Sequence, residues 1–368
     1  MSSFDFVIIG GGTSGLVVAN RLSEDPVQKV LVLEAGCDHS NDPRVNTPAL
    51  FLSLLNSEAD WAFETTPQTN LKDKSIGMQQ GRALGGSSAI NAQFDDARPP
   101  KAIGVDYRHK NDDELKTVSA GKEVMLAAGV FQSPKLLELS GIGDSNLLQR
   151  HEINIIQDLP QVGENLQDHL VSYASYETVD NISTLDSLIR QEPDAIEQAM
   201  NEYVTKKSGI LSSVGVFTCA YLPLVDYMSG ESHSQLKELF HQNRPATDNQ
   251  QAKAFYDVAE KAFLDPNQPS ACHFTALAQQ VPPVDPNSNS PADPIPGSFI
   301  TFAVMLSHPL SRGNVHISSS NVSNAPVINP NYLSNPINIK VFSRHLQYAE
   351  TIQLASFRYD IETPTPST

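Results

Sequence analysis

The stretch Phe4-Asp5-Phe6-Val7-Ile8-Ile9-Gly10-Gly11-Gly12-Thr13-Ser14-Gly15-Leu16-Val17-Val18-Ala19-Asn20-Arg21-Leu22, followed by Lys29-Val30-Leu31-Val32-Leu33-Glu34-Ala35-Gly36, decides the fold. Phe6 to Ile9 is a continuous apolar run of the kind expected for a strand buried on both faces. A glycine-rich turn follows, then helical apolar spacing from Leu16 to Leu22, then a second apolar run that predicts a second buried strand. The segment therefore reads as one βαβ unit. Gly10-Gly11-Gly12-Thr13-Ser14-Gly15 fits G-x-G-x-x-G. In that pattern Gly10 permits the tight turn, Gly12 lets the backbone approach a pyrophosphate, and Gly15 allows close packing of helix on strand. Thr13 and Ser14 then stand at a helix N-terminus, which favours phosphate charge. Glu34, at the end of the second strand, can accept hydrogen bonds from ribose hydroxyls. A carboxylate there disfavours a 2′-phosphate, so FAD or NAD is preferred over NADP, and spacing alone does not separate those two.

Working outward, the whole chain has 368 residues, a length for two or three domains, and its 40% apolar and 18% charged residues are a globular composition with enough apolar content for a sizeable core. Lys and Arg number 25 against 42 Asp and Glu, a formal net charge of −17. Such an acidic chain is a poor partner for nucleic acid or for an anionic membrane surface. No stretch approaches the length of a spanning helix. Cys37, Cys219 and Cys272 are far apart and make neither a metal-ligand spacing nor a disulfide framework. No secretory signal precedes the first strand, so a cytoplasmic, thiol-reducing location is the expectation. Two Asn-x-Ser sequons, at Asn181 and Asn321, read as chance occurrences in that setting.

Residues 37–80 lack periodicity, and residues 81–93 are rich in glycine and serine. Residues 101–129 read as a small β-meander: a strand over Ala102 to Tyr107, a polar turn through Asn111-Asp112-Asp113, and a strand over Glu123 to Ala128 ending at Gly129. Ser133-Pro134 predicts the opening of a short helix from Lys135 to Ser140. Helical spacing recurs over 190–206 and 249–264. The Pro/Asn/Ser/Asp-rich stretch 281–297 reads as a loop, strands are expected over Ser298 to Met305 and Asn314 to Ile317, and the last residues read as frayed.

Further blocks carry a family resemblance. Gly81-Arg82-Ala83-Leu84-Gly85-Gly86-Ser87-Ser88-Ala89-Ile90-Asn91 resembles the signature of the glucose–methanol–choline (GMC) oxidoreductases. Gly129-Val130-Phe131-Gln132-Ser133-Pro134-Lys135-Leu136-Leu137-Glu138-Leu139-Ser140-Gly141-Ile142-Gly143 resembles their second signature, and Val162 to His169 a third block. His308 to Val315 and Pro326 to Leu333 look like substrate-domain blocks, and the flavour is that of fungal aryl-alcohol-oxidase-like members. The resemblance implies an α/β FAD-binding Rossmann-like domain over 1–170, an α+β substrate domain on an antiparallel sheet over 171–353, and an irregular tail over 354–368. It implies FAD as cofactor, with Arg82, Gly85, Gly86, Ser87 and Asn91 lying along it. A Gly-Gly-Ser-Ser turn exposes backbone N–H groups and hydroxyls that suit phosphates and flavin heteroatoms. It further implies a flavoprotein oxidoreductase acting on the CH–OH group of a small-molecule alcohol, with hydride transfer to flavin and fungal secondary metabolism as a setting.

Two departures from the pattern stand beside these matches. Family members continue from the Asn91 position into a long segment; here Asn91-Ala92-Gln93 runs directly into what resembles the end of a much later strand, which places a join near Ala92–Phe94. Relatives also end on a block carrying a catalytic His and a second His or Asn, and no residue after Gln353 matches it. No catalytic residue is therefore assigned. Among the ten histidines, His169 is expected to be structural or near the cofactor, and His308 and His316 to sit in the substrate domain. No G-x-S-x-G elbow appears, no metal site is expected, and Cys37 reads as a small buried side chain. The alternative reading is a non-redox or inactive GMC-like chain that keeps the nucleotide-binding half.

Overall fold

The computed structural model describes residues 2–89, 104–109, 112–178, 182–212, 215–224, 230–244, 250–280 and 293–358. The expected βαβ unit is present as strand β1 (Ser2–Ile9), helix α1 (Thr13–Leu22) and strand β2 (Val30–Leu33), with β1 and β2 parallel and Ile9 opposite Leu33. Val7 and Ile8 on β1 are fully buried. β2 is half-buried throughout, which corrects the expectation of a second strand covered on both faces. The reason is its place at the edge of the sheet.

The predicted meander is instead a two-stranded hairpin of β3 (Gly104–His109) and β4 (Asp112–Leu126). β4 runs straight through the region expected to be turn and connection. Its first half pairs antiparallel with β3, and its second half pairs parallel with β1, giving the order β2-β1-β4-β3. Pairing with β3 holds its polar first half, which has no apolar alternation of its own, in the strand that β1 anchors further on.

Helix α2 (Gly129–Leu139) starts four residues before the predicted Ser133-Pro134 opening, so Pro134 lies inside it. A proline there removes one backbone donor and crowds the preceding turn. The helix keeps it because burial of Phe131, Lys135 and Glu138 fixes the helix independently of local propensity.

Strand β5 (Glu164–Leu166) is followed by β6 (Val171–Glu177), β7 (Val216–Leu222), β8 (Ala271–Ala276) and β9 (Phe299–Leu306). The last four form an antiparallel sheet in the order β6-β9-β8-β7. Helix α3 (Pro193–Lys206) matches the spacing read over 190–206. Helix α4 (Gly230–Gln242), helix α5 (Gln250–Leu264) and helix α6 (Pro336–Arg358) bring Leu236, Phe240, Phe263, Ile337 and Val341 onto Ala271, Val304 and Leu306 of the sheet, forming the largest core cluster. A third sheet, β11-β10-β5, joins β5 to β10 (Gly313–His316) and β11 (Val327–Asn329). Among the described residues no helix is long and apolar enough to cross a membrane. Of the predicted loop over 281–297, residues 293–297 carry no helix or strand, while 281–292, the residues after 358 and the Ala92–Phe94 join lie outside the described residues.

Candidate functional site at the strand ends

β1, β2 and β4 end side by side. Gly10 N donates to Leu33 O at 2.8 Å and Ala127 N to Ile9 O at 2.8 Å, so the glycine turn, Glu34 and residues 127–129 converge at the carboxyl edge of the sheet. That edge is where open parallel sheets bind ligands. The three motif glycines have different reasons. Gly10 has φ +104°, and a Cβ there would stand 2.3 Å from Ala127 O. A Cβ on Gly15 would stand 1.9 Å from Gly10 O, so α1 can lie on β1 only with glycine there. Gly12 has an ordinary φ of −77°, and the nearest atom to a Cβ is Gly86 Cα at 3.6 Å. Its side is open space. α1 begins there with no side-chain cap and no acidic residue in its first turn, leaving its positive end for an anion.

The second glycine loop folds onto the first. Gly85 N donates to Gly11 O at 2.8 Å and Leu84 N to Cys37 O at 3.0 Å. Gly86 has φ +55°, and a Cβ on it would come within 2.7 Å of Gly12 Cα. Ser87 Oγ accepts from Gly81 N at 3.1 Å. The Arg82 guanidinium lies 4.7 Å over the Trp61 ring, which stacks on Phe63 at 5.7 Å. The structure thus gathers Gly10, Gly12, Thr13, Ser14, Gly15, Arg82, Gly85, Gly86 and Ser87 around one place, while Asn91 lies outside the described residues. Glu34 accepts from Gly11 N at 2.7 Å and from Gly36 N at 2.8 Å. Each oxygen so engaged keeps further acceptor capacity, so the carboxylate is oriented by the backbone and remains able to receive hydroxyls.

A cavity of about 1810 Å³ opens here, lined by Gly10, Gly12, Thr13, Ser14, Glu34, Gly86 and Ser87. Sequence reasoning missed Trp61, Gln80 and Lys135, which also line it. Gln80 is 8% exposed, and its Oε1 is buried with no hydrogen-bond partner. Burying an unpaired carboxamide oxygen costs about 1–3 kcal/mol. Gly129, with φ +83°, makes room for it, since a Cβ there would stand 2.0 Å from Gln80 Nε2. The only signal in the sequence was that glycine, which read simply as the end of a strand. Lys135 donates from Nζ to Val322 O at 2.7 Å, and burial lowers its pKa. The glycine cradle, the helix end without a side-chain cap and the oriented Glu34 together fit a dinucleotide.

The other candidates fall elsewhere. His169 Nδ1 is 2.8 Å from Leu306 O, and His308 is exposed. His316 is held between Glu138 at 2.7 Å and Glu164 at 3.0 Å, hydrogen bonds that raise its pKa. Among the described residues no histidine lines the cavity. Cys37 is exposed rather than buried: its backbone bridges to Ala83 and Leu84, and the side chain is left outside the packing. His39, Asp42 and Glu58 cluster near the surface, but Arg44 bridges both carboxylates at 2.6 Å and holds Asp42 down at about 2.

A family model described as GMC oxidoreductase matches residues 94–171, starting where the sequence reading places the join. A dehydrogenase of Monascus purpureus is 26% identical over 511 residues, covering 95% of this chain and 80% of the relative. Since this chain has only 368 residues to fill that span, well over a hundred positions of the relative have no counterpart here. Among solved structures, an FAD-dependent oxidoreductase from Chaetomium thermophilum matches with TM-score 0.77 at 21% identity, covering 95% of this chain and 82% of that one. A fungal aryl-alcohol oxidase matches with TM-score 0.71 at 19% identity, covering 96% and 82%. With the signature blocks in family order, the strand-end nucleotide site and the antiparallel second sheet in place, the chain is similar to the GMC oxidoreductases in sequence and in fold.

Proposed function

We propose that the chain binds FAD in the strand-end cavity and serves the oxidation of a CH–OH group on a small-molecule alcohol. The observation that carries this reading is the convergence on one cavity of the glycine turn, the N-terminal end of α1 without a side-chain cap and the backbone-held Glu34. Gly10, Gly12, Thr13, Ser14 and Gly15 would hold the pyrophosphate, with Glu34 on the ribose and Arg82, Gly85, Gly86, Ser87 and Asn91 along the rest. The Glu34 charge selects against a 2′-phosphate, which supports FAD over an NADP-like ligand. When bound, the flavin supplies hydride acceptance, and the protein supplies position and exclusion of water. A second reading, nucleotide binding without alcohol oxidation, is favoured by the lining itself: among the described residues no histidine stands there to take a hydroxyl proton.

Titration of the purified chain with FAD, followed by flavin fluorescence, tests the first reading. Saturable binding is expected, weakened about tenfold or more in Glu34→Ala by loss of charge-assisted hydrogen bonds. A folded chain that takes up no FAD sinks it. Anaerobic addition of alcohols separates the two readings, since only the first expects the visible flavin band to bleach.

A further inference from the structure

Cys219 lies on β7 and Cys272 on β8, 53 positions apart in the chain. The strands pair antiparallel, with Tyr221 opposite Cys272 and Cys219 opposite Phe274. Residues two apart on a strand share a face, so the two cysteines stand diagonally on the same side. That side is turned away from the helices, which pack on Ala271, Val304 and Leu306. The Cys219 and Cys272 sulfurs are 3.0 Å apart. A disulfide bond is about 2.05 Å, so the sulfurs need to close by about 1 Å. β7 is the edge of its sheet and pairs on one side only among the described residues, which leaves it free to make that movement. Cys219 is exposed, whereas Cys272 is 2% exposed.

We propose that Cys219 and Cys272 form a thiol modification site that a peroxide converts to an intramolecular disulfide across β7 and β8. In the first step the Cys219 sulfur attacks one peroxide oxygen. The O–O bond breaks, Cys219 becomes a sulfenic acid, and the other oxygen leaves as water. In the second step the Cys272 sulfur attacks the Cys219 sulfur, the S–O bond breaks, and the departing hydroxide takes the Cys272 proton as a second water. Two thiols lose two electrons and one hydrogen peroxide gains them. The division of roles follows from exposure: Cys219 is exposed and meets the reagent, while Cys272 is buried and meets only the Cys219 sulfur beside it. The site is separate from the nucleotide cavity and does not rest on the proposed activity.

The test uses the full chain, treated with hydrogen peroxide, quenched, denatured, labelled with a maleimide and weighed. Before treatment all three cysteines take label. Afterwards one label, on Cys37, is expected, together with a cross-linked peptide pair containing Cys219 and Cys272, and dithiothreitol restores the other two. In Cys219→Ser, Cys37 and Cys272 are both expected to keep their label after the same treatment. Three labels after peroxide overturn the proposal. So do a sulfinic Cys219 without the cross-link, a disulfide that includes Cys37 or a second chain, and a cross-link that survives Cys219→Ser.

Discussion

Gly12 and Gly15 are both motif glycines, yet their surroundings give opposite expectations for adding one methyl group. At Gly15 the new Cβ would overlap Gly10 O at 1.9 Å, and backbone cannot yield without lifting α1 from β1. Gly15→Ala is expected to lose about 1–3 kcal/mol in urea unfolding, the range for overpacking a tight contact. At Gly12 the Cβ meets only Gly86 Cα at 3.6 Å, with the backbone in a conformation open to any residue. Gly12→Ala is therefore expected to unfold within about 0.5 kcal/mol of the parent. The same methyl fills the space through which the backbone approaches a pyrophosphate, so FAD binding should fall in a parallel fluorescence titration. Equal destabilisation by the two substitutions would show that Gly12 is a packing residue. The glycines were legible as a pattern because the constraint is local; which of them faces the ligand was not, since that depends on Gly86, seventy-odd positions away.

At the scale of elements, α2 is tied to β10 by charge. Glu138 is fully buried and accepts from Ile317 N at 2.8 Å and from His316 Nδ1 at 2.7 Å. His316 also reaches Glu164 on β5, so three elements meet on one imidazole. These hydrogen bonds raise the His316 pKa above its ordinary value. A raised folded pKa means a stability contribution fully present below the unfolded histidine value of about 6.5, and lost as pH rises through the folded value. The difference in urea stability between the parent and His316→Gln should therefore be largest in mild acid and shrink above neutrality. A difference that grows with pH would contradict the clamp. His316→Ala should cost about 1–3 kcal/mol at neutral pH, because buried Glu138 keeps Ile317 N but loses its side-chain partner. Neither Glu138 nor His316 stood out in the sequence as a pair, because 178 positions separate them.

Across the whole molecule, the two halves of the chain share structure. β5, at 164–166, pairs with β10, and Thr66 N donates to Ile328 O at 2.7 Å. Tyr332 donates its hydroxyl to Asp168, and Gln68 bonds both Asn329 and the Tyr332 backbone. One core cluster contains Phe63, Phe131 and Leu166 from the first half with Val315 and Ile328 from the second, and Trp61 packs on it. Trp61 is the sole tryptophan, so its fluorescence reports on this junction and on the nucleotide cavity together. Unfolding in urea followed by tryptophan fluorescence and by far-ultraviolet circular dichroism should coincide as a single transition. Separate midpoints would show that the junction melts independently of the antiparallel sheet and its helices.

The sequence by itself determined the βαβ unit, the glycine turn, Glu34 and the family resemblance. Those features rest on short-range constraints: apolar runs that must be covered, φ angles only glycine adopts freely, and motif blocks in a set order. Tertiary structure alone decided the rest. Fifteen residues from Asp112 to Leu126 form one strand because two different partners hold its two halves. Gln80 keeps its Oε1 unpaired where Gly129, from another element, makes room for its side chain. Glu138 meets His316, and Cys219 meets Cys272, through strand register and helix docking. Such contacts join residues far apart in the chain, and their positions follow from which faces bury together, a property of the packed molecule that local pattern does not encode.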